Sequence, residues 1–235
     1  MFPIIIVVSI ATMLASWYVS NKLKNKFEEY SRTPLLSGMS GKEVAEQMLR
    51  DNRIYDVKVI SVEGRLTDHY NPSDKTVNLS SDVYTGRNAA AAAVSAHECG
   101  HALQHAQAYN MLELRSTLVP IQNISARILN IFMMVMIFGG MLLVGPQTLP
   151  YVLLIIIACN LVITLFALIT LPVEFDASNR ALAWMESKGV VTTEEHGMAA
   201  DALKWAARTY IVVAIGAFAQ LLYYVMMFLG IRRDD

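Results

Sequence analysis

Apolar residues are concentrated in four long stretches of the chain. The stretches run from Phe2 to Val19, Ile128 to Val144, Tyr151 to Val173 and Tyr210 to Gly230, and none contains Asp, Glu, Lys or Arg. A helix needs about 20 mostly apolar residues to cross a hydrocarbon core about 30 Å thick. The pattern therefore predicts an α-helical membrane protein with about four transmembrane helices.

The segment after the first stretch alternates between helical and strand patterns. Ser40 and Glu43 have the spacing of a capping box and are followed by a helical pattern, so a short helix should begin here. Residues 56–62, 66–70 and 76–80 are rich in strand-forming positions, and residues 71–74 favour a turn. We predict a small β-sheet that ends in a hairpin. Its edge either binds an extended peptide or is purely structural.

The hairpin is followed by an alanine run that begins after Asn88 and predicts a longer helix. The predicted organisation is a transmembrane anchor (1–19), a soluble domain with the sheet and this helix (20–127), a transmembrane hairpin (128–173), further soluble helices (174–208) and a final transmembrane helix (209–231). Because its soluble part combines helices and a sheet, we expect a small α+β domain.

The basic residues orient this arrangement in the membrane. Seventeen of the 19 Lys and Arg residues lie in segments 20–127 and 174–208, and the exceptions are Arg232 and Arg233. Three lysines at 22, 24 and 26 follow the first stretch, and no basic residue precedes it, which indicates an anchor rather than a cleaved signal peptide. Both soluble segments should therefore face the cytoplasm, with both termini on the far side.

Composition excludes one class of partner and indicates a compartment. The net charge is −1, and the chain has neither a basic stripe nor a Gly-rich phosphate loop, so we expect no nucleic-acid partner. The two cysteines are Cys99 and Cys159, the latter within a predicted span, and they are poor partners for a disulfide. This fits a reducing compartment. We expect Cys99 to be a packing residue.

The predicted long helix contains the sequence His97-Glu98-Cys99-Gly100-His101. Residues four apart lie on one face of a helix, so both imidazoles can bind one Zn²⁺ ion. In the His-Glu-x-x-His pattern, the glutamate is the general base that acts on the water held by the metal. The motif predicts a hydrolytic site with one zinc ion. The alternative is a helix whose histidines only satisfy local hydrogen bonds.

The other histidines are poor third ligands. His105 is separated from His97 by about 12 Å of helix rise, so one ion cannot contact both. A longer motif with a third histidine is excluded because Gln104 and Gln107 occupy its fixed positions. His69 on the predicted hairpin and His196 near a late helix start are interpreted as solvated residues.

Glu174 is the better candidate for the third ligand. It directly follows the third apolar stretch, on the same predicted side of the membrane as the motif. A carboxylate at the edge of the hydrocarbon needs a partner, and a zinc ion on two neutral histidines is a strong one. The alternatives are that Glu174 reaches toward the interface or pairs with Arg180.

These motifs together resemble the bacterial YugP-like membrane zinc metallopeptidases. The resemblance spans nearly the whole chain and rests on separated motifs at residues 68–72, 77–80, 97–101 and 171–178. The family is similar to the HtpX-like and CAAX-prenyl membrane endopeptidases, in which a glutamate beyond the membrane hairpin completes the site. The resemblance implies a zincin-like, gluzincin-like metallopeptidase domain, with Glu174 as the third ligand, in the inner membrane of a bacterium.

The chain departs from the HtpX-like pattern in one place. Those enzymes usually carry Glu-x-x-x-Asp, whereas Ser178 is four residues after Glu174 and the nearest acid is Asp176. Asp176 is the candidate to orient a ligand histidine through its ring N–H. Arg180, Tyr70 and His69 remain alternative donors to the transition-state oxyanion.

The sequence thus predicts a zinc-dependent membrane metalloendopeptidase. We expect it to hydrolyse peptide bonds of membrane or unfolded proteins at the cytoplasmic face, with Glu98 taking the proton of the attacking water. Its partners would be a protein or peptide substrate and the lipid bilayer. The alternative is a proteolytically silent zinc-binding membrane scaffold or chaperone.

Overall fold

The computed structural model describes residues 2–138, 145 and 147–231, which form mainly helices and one small sheet. The helices are α1 (Phe2–Ser31), α2 (Gly41–Asp51), α3 (Ser81–Thr85), α4 (Ala89–Ala106), α5 (Asn110–Ile137), α6 (Leu149–Ser187) and α7 (Thr193–Ile231). The strands are β1 (Lys58–Val62), β2 (His69–Asn71) and β3 (Thr76–Ser80).

Among the described residues, α1, α5, α6 and α7 are long and apolar enough to cross a membrane. This confirms the predicted number of helices with membrane-spanning length and composition. Residues 139–144 of the second predicted span lie outside the described residues, as do Arg232 and Arg233.

The long helices continue well past the apolar stretches. α1 runs on to Ser31 and α6 to Ser187, because the flanking segments 20–31 and 174–187 contain neither glycine nor proline. A helix ends where its backbone geometry is broken, whereas an apolar stretch ends where polarity changes. Helix ends and membrane boundaries therefore differ in this protein.

The chain divides into two compact units. The first consists of the described residues within 1–17, 114–170 and 210–235, and the second of residues 18–113 and 171–209. Compact packing does not locate a bilayer, so the predicted membrane boundaries at 19, 127, 173 and 208 stay predictions.

The first unit exposes large apolar side chains on its helices. Examples are Val7 on α1, Met133 on α5 and Ile215 on α7, each at least 60% exposed. Exposed apolar surface of this extent is unfavourable in water and is typical of helices that contact lipid.

The second unit contains the sheet, whose strand order is β1-β3-β2. β1 is parallel to β3, and β2 is antiparallel to β3 with Tyr70 opposite Val77. The predicted sheet and hairpin are confirmed, but β2 begins at His69 rather than at Leu66. Leu66 has φ 57°, which is incompatible with an extended strand. The short helix α3, which the sequence pattern did not predict, separates β3 from α4.

The core of the second unit lies against the alanine-rich part of α4. The predicted capping box of α2 is present, and the Asn88 side chain accepts a hydrogen bond from the Ala91 N–H at the start of α4. Ala92 and Ala96 are fully buried, as are Val44 and Met48 of α2. Alanine side chains allow close packing against neighbouring helices while they favour helix formation. This packing makes α4 a central element of the core of the second unit.

Candidate metal centre

α4 presents His97 and His101 on one face, as the four-residue spacing predicted. Their ring centroids are 4.8 Å apart and the rings are nearly perpendicular, at 83°. The two side chains are only 12% and 10% exposed. Glu98, between them in sequence, is also buried. A helix of strong local propensity thus places three chemically active groups in a mostly enclosed site.

Glu174 reaches the same place from α6. Its Oε2 lies 3.4 Å from Nε2 of His97 and 3.7 Å from Nε2 of His101, and its side chain is 4% exposed. The three side chains offer ligand atoms that all lie within 4.8 Å of one another. The structure therefore brings together the three residues that the sequence and the family resemblance indicated as metal ligands.

The spacing of these atoms fits a zinc ion. Two atoms each about 2.0–2.1 Å from a tetrahedral zinc ion lie about 3.3 Å from each other. The distances from Glu174 to the two imidazoles are close to this value and longer than a hydrogen bond of about 2.9 Å. Two imidazole nitrogens and one carboxylate oxygen are also a ligand set used by catalytic zinc.

The electrostatic environment of His101 favours positive charge. Burial by itself lowers the pKa of His101, but the nearby negative charges of Glu174 and Glu98 outweigh it. The pKa of His101 is therefore raised above its ordinary value. Two carboxylates in one enclosed site attract a cation, and a divalent metal ion neutralises both.

Gly100 permits the close approach of α4 and α6 at this point. A Cβ atom at residue 100 would lie 2.5 Å from the carbonyl oxygen of Ala177, three residues after Glu174. Real Cβ atoms do not approach a backbone oxygen this closely. The glycine inside the motif, to which the sequence analysis gave no role, is thus required by the helix crossing that brings Glu174 to the histidines.

Glu98 is held by the edge strand of the sheet. Its Oε2 accepts a hydrogen bond of 3.0 Å from the backbone N–H of Tyr70 in β2. In an antiparallel pair, alternate residues point their backbone groups away from the partner strand, and Tyr70 directs its N–H away from β3. The sheet therefore orients the carboxylate of the motif, a contact that no sequence pattern indicated.

The second ring nitrogen of each histidine has its own side-chain partner. Ser178 Oγ lies 3.1 Å from Nδ1 of His97, and Gln104 Oε1 lies 3.0 Å from Nδ1 of His101. Asp176 contacts Gln104, whose Nε2 donates to its Oδ2 at 2.8 Å, so its link to a histidine is indirect. The roles of Gln104 and Ser178 were not predicted from the sequence. Their helical spacings, three after His101 and four after Glu174, were the available signal.

The three candidate oxyanion donors have different surroundings. Arg180 donates to Asp176 and to Gln107 at 2.5 Å each. The Tyr70 hydroxyl lies 2.8 Å from Nδ1 of His105, and burial raises the pKa of Tyr70. Nδ1 of the exposed His69 lies 2.8 Å from the carbonyl oxygen of Thr67. Each of the three donors is already engaged in a contact, and their role toward an oxyanion stays a prediction.

Cys99 lies in the core rather than in the site. It is fully buried, and its Sγ contacts the Ala45 carbonyl at 3.5 Å. Burial raises the pKa of its thiol well above the ordinary value, and the charge of Glu98 adds to the effect. Such a thiol is inert as a nucleophile. This agrees with the packing role expected for Cys99.

A His-Glu-x-x-His helix with a glutamate on a neighbouring helix is the arrangement of a zinc metallopeptidase. The chain belongs to the family described as "Putative neutral zinc metallopeptidase", whose family model matches residues 4–229. It is 38% identical over 230 residues to "Putative membrane protease YugP" of Bacillus subtilis (strain 168), covering 98% of this chain and 99% of that protein. No solved structure matches the chain. The resemblance to the YugP-like family is confirmed.

Proposed function

We propose that this protein is a zinc-dependent endopeptidase that hydrolyses peptide bonds of membrane or unfolded proteins. One observation carries the proposal: Oε2 of Glu174 lies 3.4 Å from Nε2 of His97 and 3.7 Å from Nε2 of His101, distances that suit ligands of a single zinc ion. Membership of a zinc metallopeptidase family supports the same reaction class. In this proposal the three residues hold one Zn²⁺ ion and leave a position open for the reaction.

In the proposed reaction, the metal and Glu98 have separate roles. Bound Zn²⁺ would supply Lewis-acid polarisation of the scissile carbonyl and a nucleophilic water at neutral pH. Glu98 takes a proton from the attacking water at its carboxylate and returns it to the leaving amine. The Tyr70 N–H supports this role because it hydrogen-bonds the charged carboxylate and holds it in one position.

The edge of β2 is the proposed binding place for the substrate backbone. β2 is a terminal strand of the sheet, and Tyr70 contacts Glu98 directly through its backbone. The Tyr70 N–H is occupied by Glu98, so an extended peptide on this edge would pair with the outward-facing carbonyl of Tyr70 and lie beside the general base. Main-chain hydrogen bonds of this kind tolerate many sequences, which suits a peptidase acting on unfolded segments.

The proposed location is the inner membrane of a bacterium, with several membrane-spanning helices and the site on the cytoplasmic side. Four helices of suitable length and the description of the Bacillus relative as a membrane protease support the membrane location. The distribution of Lys and Arg supports the orientation. Because Glu174 directly follows an apolar stretch, we expect cleavage in parts of substrates close to the membrane.

The test is cleavage of a fluorescently labelled, denatured casein by the purified full-length protein in detergent. Glu98→Gln should retain one zinc ion per chain and lose most activity, by at least about 100-fold, because the proton acceptor is removed. Glu46→Gln is the matched control, since Glu46 is a half-exposed residue of α2 in surface ion pairs, and it should behave as wild type.

Three outcomes would overturn the proposal. If the wild-type protein binds no zinc, the assignment of the metal ligands fails. If it binds zinc but Glu98→Gln cleaves equally well, the role of Glu98 as general base fails. If neither protein cleaves, the proteolytically silent scaffold replaces the peptidase.

The orientation is tested with single cysteines and a membrane-impermeant maleimide in spheroplasts. Leu36→Cys replaces a residue that is 82% exposed in the second unit, and it should react only after permeabilisation. Thr148→Cys, in the link that precedes α6, should react in intact spheroplasts. The reverse pattern would place the site outside the cytoplasm. The natural cysteines are buried, so their background labelling should be low.

A further inference from the structure

Gln104 is a buried glutamine whose amide is engaged at both ends. It lies on α4 three residues after His101 and has no exposed surface. Its Oε1 is 3.0 Å from Nδ1 of His101. Its Nε2 donates to the carbonyl oxygen of Val173 and to Oδ2 of Asp176, each at 2.8 Å. A polar side chain is retained in such a place only when its hydrogen bonds are satisfied.

These partners determine which way the amide points. A backbone carbonyl is only an acceptor, and the Asp176 oxygen that faces Gln104 also accepts from Arg180 Nε at 2.5 Å. The NH₂ group of Gln104 must therefore face Val173 and Asp176. Its oxygen is then directed at the imidazole of His101.

The direction of the amide in turn fixes the tautomer of His101. An amide oxygen cannot donate, so Nδ1 of His101 must carry the hydrogen of this bond. In the neutral ring, the lone pair is then on Nε2. That nitrogen is the one 3.7 Å from Glu174 Oε2, at the place where the three candidate ligand atoms converge.

We propose that Gln104 and Asp176 are positioning residues that hold His101 in the tautomer and ring orientation that bind the metal. Asp176 acts through Gln104: it accepts one of the two N–H bonds that direct the amide oxygen at the histidine. Arg180 holds Asp176 in turn, and its guanidinium lies 5.8 Å from the ring centre of Tyr109. The inference rests on the proposed function, in which His101 binds zinc.

The expected effect is on metal binding. Side chains that orient a ligand histidine typically change metal affinity by about 10- to 100-fold when they are lost. Gln104→Met keeps the approximate volume and the helix propensity and removes all three hydrogen bonds. It should weaken zinc binding by about 10- to 100-fold and alter the visible absorption of the Co²⁺-substituted protein.

The experiment measures zinc affinity of the full-length protein in detergent by competition with a chelator, together with the Co²⁺ spectrum and the melting temperature. Gln47→Met is the matched control, because it makes the same substitution at a half-buried position on α2, outside the site. It should leave zinc affinity and the spectrum unchanged. Gln104→Met with wild-type affinity and an unchanged spectrum would overturn the proposal, while zinc binding by the wild type would leave the proposed function standing.

A second variant tests the coupling and remains informative if Gln104→Met does not fold. Asp176→Ala, at a partly exposed residue, should weaken zinc binding several-fold in the wild-type background and have no further effect when residue 104 is methionine. An Asp176→Ala protein with unchanged affinity would overturn the role of Asp176. Full additivity in the double variant would show that Asp176 does not act through Gln104. Absence of zinc from the wild type itself would contradict the proposed function.

Discussion

His97 and His101 face the same centre, yet the structure holds them in different ways. His101 is bound by a fully buried amide that is itself fixed by a carbonyl and a carboxylate. His97 is next to the hydroxyl of Ser178 at 3.1 Å. A hydroxyl rotates and can donate or accept, whereas the Gln104 amide has one orientation that satisfies its partners. The His101 ring should therefore be held rigidly. Zinc affinity should be sensitive to substitutions beside His101 and more tolerant of substitutions beside His97.

Both sides nevertheless depend on one helix crossing. α6 supplies Glu174 between the two rings, Ser178 beside His97 and Asp176 beside Gln104. α4 supplies both histidines. Local hydrogen bonds therefore adjust each ligand separately, while the distance between α4 and α6 controls both ligands together.

Gly100→Ala should cause the largest loss of zinc affinity, because it disturbs the surroundings of both histidines at once. The new Cβ would lie 2.5 Å from the Ala177 carbonyl oxygen and 3.0 Å from its Cα, so the backbone of one helix must move. Forcing extra volume into packed structure costs about 1–3 kcal/mol. We expect a lower melting temperature and a zinc affinity lower than that of Gln104→Met, measured by the same chelator competition.

Gly197→Ala is the control for this substitution. Gly197 also lies in a helix, α7, but a Cβ there would meet no atom within 4 Å. This variant should keep its zinc and gain about 0.5–1 kcal/mol of stability from the better helix former. If Gly100→Ala binds zinc as tightly as Gly197→Ala, the helix crossing does not control the site.

The smallest effect should come from Ser178→Ala on the His97 side. A single neutral hydrogen bond contributes about 0.5–1.5 kcal/mol, which corresponds to a zinc affinity lower by about 2- to 12-fold. Ser187→Ala, which removes a hydroxyl further along the same helix, should have no effect on zinc affinity. A loss for Ser178→Ala equal to that for Gln104→Met would remove the predicted difference between the two histidines.

Features that depend on neighbours along the chain could be predicted from the sequence alone. Four apolar stretches of membrane-spanning length are visible because the hydrocarbon core sets the required number of residues. The placement of His97 and His101 on one face follows from the geometry of any α-helix, and the capping box of α2 follows from residues three apart. These predictions needed no information about distant segments.

Contacts between distant segments are visible only in the folded protein. Tyr70 and Glu98 are 28 residues apart in sequence, and their contact depends on the packing of β2 against α4. Nothing in its own helix distinguishes Gln104 from other helical glutamines. Its role depends on α6, which places Val173 and Asp176 beside its amide. Helix periodicity fixes the direction of a side chain from its own helix, but not the element that it meets. That depends on close packing between helices, which Gly100 permits.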